Sequence, residues 1–230
     1  MKNAAINKGV ISKIATALAE LNEQVVYVGG AVVGLYINDP AAEDVRPTKD
    51  IDISLSIATI VELEEVRENL IRKGFIQTAE DDVICRFRFE DIKVDFMNTT
   101  SVGWAPANPW FAGGFSLRKT VEIENQQIQI LPVSYFLASK FAAYNDRGKN
   151  DPRTSHDFED IVYILDNRTD LVEQILNAPE DVKPFLKTAF ENILKDGVMQ
   201  EAISGNLYYE TRDYRFTKMM EKLKEMVEPI

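Results

Sequence analysis

Val10, Ile11, Ile14, Ala15, Leu18 and Leu21 recur every three to four residues, which predicts an amphipathic helix over residues 6–22. A short apolar strand, Gln24–Val28, follows and is broken by Gly29-Gly30, after which Ala31–Ile37 has helical character. Pro40 and Pro47 make Asn38–Lys49 a loop. Asp50–Ile57 alternates polar and apolar side chains, the period of a strand with one buried face. Ile60–Lys73 is helical and stops at Gly74. Val83–Phe89 and Ile92–Met97 alternate about Glu90-Asp91, which predicts a hairpin. Residues 99–113 show no period, and strands are expected near Phe115–Glu124 and Gln127–Ile130. From Pro132 onward helical patterns dominate, separated near Asn145–Thr154, Asp166–Thr169 and Gly205–Leu207. The expected fold class is α/β (α+β). Residues 1–131 form a mixed sheet with flanking helices, and residues 132–230 form a helical C-terminal region.

Composition narrows the class without naming a function. The chain has 230 residues, 45% of them apolar and 10% aromatic, enough for a soluble domain with a real core. Its lone cysteine, Cys85, excludes a disulfide framework and a Cys-rich zinc site, and suits a reducing compartment. A single histidine argues against histidine-based zinc catalysis. No apolar run approaches the ~20 residues needed to span a bilayer. The N-terminus carries no signal-peptide core, so a cytoplasmic, membrane-free protein is expected.

The net charge of −11 opposes nonspecific binding to polyanions. The charge is uneven, however. Residues 1–82 carry −6 and residues 154–230 carry −7, whereas residues 83–153 carry +2 and hold both tryptophans. A nucleotide, or one defined RNA end, remains compatible with that centre.

The chemistry concentrates at two places. Gly29 and Gly30 stand where a strand ends and helical character begins. Without Cβ atoms the chain can turn sharply there and admit a phosphate to its N–H groups, although a plain tight turn uses the same residues. Asp50 and Asp52 are two apart on a strand and share a face, while Ile51, Ile53 and Leu55 take the other. Two carboxylates so placed repel unless a cation lies between them or water screens them. Asp95, opposite Ile92, Val94 and Phe96 on a later strand, can join them if that strand pairs beside Asp50–Leu55. Three such carboxylates suit a two-ion magnesium site for phosphoryl chemistry.

Gly29-Gly30, Asp50-x-Asp52 and a later lone Asp95 resemble the signature of the DNA polymerase β-type nucleotidyltransferase superfamily. The spacing from the glycines to the first aspartate is lengthened by Asp39–Arg46. Residues 136–161 strengthen the likeness. Lys140, Ala143, Arg147, Asp157 and Asp160 match the Lys-x-x-Ala, Arg and Asp-x-x-Asp pattern that follows the carboxylates in the AbiEii/AbiGii toxin-type nucleotidyltransferases. The two groups together span residues 25–165.

The resemblance implies a magnesium-dependent transfer of a nucleoside monophosphate from an NTP to a hydroxyl on RNA, tRNA or protein. It also implies a neighbouring antitoxin as partner. Asp50, Asp52 and Asp95 would be catalytic and would hold the metal. Gly29, Gly30, Lys140, Asp157 and Asp160 would bind the nucleotide, so the helical region would complete its site. Two alternatives stay open: a small-molecule (antibiotic-type) nucleotidyltransferase, and a non-catalytic nucleotide-binding regulatory module.

Other residues have quieter explanations. Asp157, in the first turn after Ser155, is also a helix-capping carboxylate. His156 suits a capping turn as well as a substrate contact. Cys85 reads as core, Arg86 and Arg88 as either phosphate ligands or solvated strand charges, and Asn108–Phe111 as packing under a loop.

Overall fold

The computed structural model describes residues 2–146 and 151–228, which fall into two compact units. The first comprises Met1–Gly34 and Asp44–Pro132, the second Leu35–Glu43 and Val133–Ile230.

The first unit is built on a six-stranded mixed sheet. Its strands are β1 (Val26–Val28), β2 (Asp50–Leu55), β3 (Arg86–Phe89), β4 (Ile92–Asn98), β5 (Lys119–Ile123) and β6 (Gln126–Ile130), in the spatial order β3-β4-β2-β1-β6-β5. β2 runs parallel to β4 and antiparallel to β1, and β1 meets β6 in parallel. The two outer pairs, β3–β4 and β5–β6, are antiparallel hairpins. The turns between their strands place Glu90 and Glu124 at positive φ (54° and 52°). Helix α1 (Lys2–Leu18) packs on β6 and buries Ile11, Ile14, Ala15 and Leu18, the stripe its 3.6-residue period produces.

The sequence places the first helix over residues 6–22. The α-helix starts earlier and ends at Leu18, and Ala19–Gln24 continues as a 3-10 helix. Gly30–Leu35 is likewise 3-10 rather than α, in keeping with two glycines and two valines, all weak α-formers. One turn of helix, α3 (Phe111–Ser116), lies where no period shows, because six residues are too few to display one.

α2 (Ile60–Arg72) opens on a capping box. Thr59 accepts from the Glu62 amide, and the Glu62 carboxylate accepts from the Thr59 amide.

The register of the inner strands sets which side chains face which way. Phe87, Val94 and Ile51 are cross-strand neighbours, as are Phe96 and Ile53. On that face Phe75, Phe87, Phe89, Phe96 and Trp104 stack with ring centroids 5.0–6.0 Å apart, and Phe75, Phe87 and Phe96 are fully buried. A slip of one residue would turn these aromatics out to the polar face, so the core fixes the register.

The second unit is helical: α4 (Val133–Asp146), α5 (His156–Asn167), α6 (Leu171–Leu176), α7 (Lys183–Lys195), α8 (Gly197–Asn206) and α9 (Arg212–Val227). Ser155 caps α5 and Asp196 caps α8 through its carboxylate. Tyr36 stacks on Phe136 of α4 at 4.3 Å, which ties residues 35–43 to this unit. Lys222 of α9 donates to the carbonyls of Leu165, Asp166 and Arg168, satisfying the C-terminal end of α5. Among the described residues no helix is long and apolar enough to cross a membrane.

Candidate active site

Because the aromatic core holds Ile51, Ile53, Val94, Phe96 and Phe87 on one face, the residues between them stand on the other. Asp52 and Asp95 are register partners on the parallel strands β2 and β4, and Asp95 is in turn the partner of Arg86 on β3. A second row beside it runs Asp50, Lys93, Arg88. The sheet therefore gathers Asp50, Asp52 and Asp95 onto one face of adjacent strands.

The Asp95 carboxylate is engaged. Arg86 Nε donates to Oδ1 and Nη2 to Oδ2, both at 2.7 Å, a bidentate pair with side chains 16% and 13% exposed. The same Nη2 lies 3.8 Å from Asp50 Oδ2. These carboxylates raise the Arg86 pKa, the Asp95 hydrogen bonds foremost. Among the described residues no group of three or more His, Cys, Asp or Glu comes close enough to hold a metal ion. Cys85, buried next to Arg86, is pushed up to about 11 by its burial and then by the charges of Asp95 and Asp52.

Gly29 follows β1, whose last residue, Val28, is the register partner of Asp52. It sits at φ +73°, and a Cβ built there would lie 2.7 Å from Asp52 Cβ and overlap its carboxylate. A Cβ on Gly30 would overlap the Arg46 guanidinium and come within 2.8 Å of Thr48 Cγ2. The glycines thus let Asp52 and Arg46 lie directly over the chain.

Arg46 belongs to the inserted loop, where sequence alone gives it no role. Contacts from α1 hold that loop. Asn3 Nδ2 donates to the Val45 carbonyl, Asn7 Nδ2 donates to the Arg46 carbonyl, and the Asn3 and Ala4 amides donate to the Asp44 carboxylate. Burial alone would raise the Asp44 pKa, but those amides outweigh it and lower the value. Arg88, two residues from Arg86, has a carboxylate of its own in Asp81, at 2.7 and 3.0 Å.

In the second unit Lys140 of α4 meets Asp157 (3.1 Å) and Asp160 (2.8 Å) of α5, all three 6% exposed or less. Lys140 is thus held by the two aspartates, and reaching a phosphate would require leaving them. His156 is mostly exposed, its Nδ1 3.1 Å from Glu159 Oε2. Phe111 is core. Arg147, matched to the family pattern, lies outside the described residues, as do Gly148 and Lys149.

A mixed sheet with carboxylates on adjacent strands beside a Gly-Gly turn is what the resemblance to nucleotidyltransferases leads one to expect. Residues 15–229 match the family described as "Nucleotidyl transferase AbiEii toxin, Type IV TA system", and the chain belongs to that family of nucleotidyltransferases. No curated protein matches the chain. Among solved structures it is similar to an antigenic nucleotidyltransferase-like protein from Paracoccidioides brasiliensis, at 15% identity and a TM-score of 0.49. That match covers 90% of this chain and 96% of the other.

Proposed function

We propose that this toxin-family enzyme moves a nucleoside monophosphate from an NTP to an RNA hydroxyl with Mg²⁺, and that a cognate antitoxin protein restrains it. The observation that carries the proposal is the Asp52–Asp95 register pair, with Asp50 on the same face. Their donors are hard carboxylate oxygens, which suit Mg²⁺, and the face already accommodates one cation, the Arg86 guanidinium. Asp50, Asp52 and Asp95 would hold the metal only after closing up, with Asp95 released from Arg86, since the three do not stand at metal-holding distance. When bound, the metal would offset charge on the triphosphate and the leaving pyrophosphate.

The chain's own residues supply the rest. Gly29 keeps Asp52 close against the turn, and the Arg46 guanidinium over Gly30 offers positive charge to the triphosphate. Lys93, the register partner of Asp50, adds a second cation to the same face. Asp95 is the group to receive the acceptor's proton, once released from Arg86. The acceptor oxygen then bonds to the α-phosphorus as the bond to pyrophosphate breaks. Positioning and electrostatics account for most of the acceleration in such a transfer. Lys140, Asp157 and Asp160 enter as the ion cluster that fixes α4 against α5 in the helical unit.

The test is incubation of the full chain with each α-labelled NTP, Mg²⁺ and total RNA. Label should enter RNA with the wild type and vanish with Asp52→Asn, whose circular dichroism should match the wild type. Undiminished labelling by Asp52→Asn overturns the assignment of the site, and label found on protein alone overturns the RNA acceptor.

A further inference from the structure

We propose that Arg86 is the built-in counter-ion of the metal-free site, a positioning residue that occupies the cation's place and must be displaced before Asp95 can ligate a divalent metal. The proposal rests on the nucleotidyltransferase reading and concerns how that site is loaded.

Three observations converge on it. Arg86 uses both oxygens of Asp95, at 2.7 Å each, leaving that carboxylate little capacity for a cation in the same plane. Its Nη2 also faces Asp50 Oδ2 at 3.8 Å, so one guanidinium spans two of the three carboxylates. Register brings Asp52 alongside Asp95, so the guanidinium sits at a group of carboxylates on adjacent strands, where a cation is favoured. The fork-to-carboxylate geometry is specific and partly shielded from water, so displacing it draws on the binding free energy of the metal. A residue that merely oriented Asp95 for metal would have the opposite effect, because its loss would weaken metal binding.

Arg88 is an internal control. It lies on the same strand and face with an equally bidentate carboxylate partner, but that partner, Asp81, is not one of the three site carboxylates.

The experiment is titration of Mn²⁺ into the full chain without nucleotide, followed by electron paramagnetic resonance or calorimetry. The proteins are wild type, Arg86→Gln, Arg86→Lys and Arg88→Gln. Arg86→Gln should bind Mn²⁺ about tenfold more tightly than wild type. Arg86→Lys, which keeps the charge but loses the fork, should fall between the two, and Arg88→Gln should match wild type.

Equal or weaker affinity in Arg86→Gln overturns the proposal. So does an equal gain in Arg88→Gln, which would mark a general charge effect. If Arg86→Gln does not fold, Arg86→Lys decides: tighter binding than wild type supports the proposal, and no change overturns it. NTP consumption by the wild type is read separately. A wild type that consumes NTP beside an Arg86→Gln variant with no gain loses this proposal alone. An inert wild type beside a variant that does gain affinity loses the enzymatic reading alone.

Discussion

Gly29 carries two requirements at one position: a positive φ, and no Cβ beneath the Asp52 carboxylate. Gly29→Ala must accept a left-handed backbone, costing about 1–2 kcal/mol, and must also push Asp52 aside. Its thermal midpoint should fall by at least about 2–4 °C per kcal/mol lost. NTP consumption should drop on the order of 100-fold, since small misplacements of a reacting group cost that much. A variant with wild-type turnover would show that Asp52 tolerates displacement.

A second residue-scale prediction concerns pH. The hydrogen bonds from Arg88 lower Asp81 to about 2. Its folded value thus lies below its unfolded one, so the pair stabilises above the ordinary carboxylate range, near pH 4, and that stability fades as pH falls toward 2. Asp81→Asn should therefore lower the urea midpoint at pH 7, and by progressively less as pH falls from about 4 toward 2. A loss that grows on acidification contradicts this.

That Asp50 and Asp52 share a face is legible from a two-residue period alone. That Arg86 meets Asp95 is not, because cross-strand register is a property of two segments. Arg46 was less legible still: a lone arginine in a proline-flanked loop gives no signal until α1 pins that loop beside Gly30.

At the scale of elements, the long periodic segments were readable and the short ones were not. α2 and the β3–β4 hairpin announce themselves by period and by the residues that stop them. Gly30–Leu35 turned out 3-10 and α3 went unseen, since one or two turns cannot establish a period. The caps can be tested directly. Thr59→Ala removes one half of the α2 capping box and should cost about 1 kcal/mol, read as a lower urea midpoint with an unchanged slope.

The α4–α5 contact is a larger case. Lys140→Met would leave the Asp157 and Asp160 carboxylates buried without their cation, a change worth about 3–5 kcal/mol in comparable buried pairs. Unfolding at much lower urea marks the cluster as the fastener of these helices. Unchanged stability with a raised KM for NTP would instead return Lys140 to the phosphates.

For the whole molecule, the −11 charge looks at first like a reason to keep nucleic acid away. The register of β2 and β4 gives part of it a local purpose. Asp50, Asp52 and Asp95 stand on one face because the aromatic core holds their neighbours on the other, and the Arg86 guanidinium lies against two of them, Asp95 and Asp50. If these carboxylates hold the metal as proposed, ligand binding to the folded chain alone should stabilise it as well as permit turnover. Binding of Mg²⁺ with a non-hydrolysable NTP at 100 times its Kd contributes about 2.7 kcal/mol. For a chain of this length that is a rise of about 5–10 °C in thermal midpoint. The double variant Asp50→Asn/Asp52→Asn should show no such rise when Mg²⁺ and the NTP analogue are added. Scanning calorimetry with and without them reads the difference, and a double variant that still rises by several degrees would place the metal elsewhere on the chain.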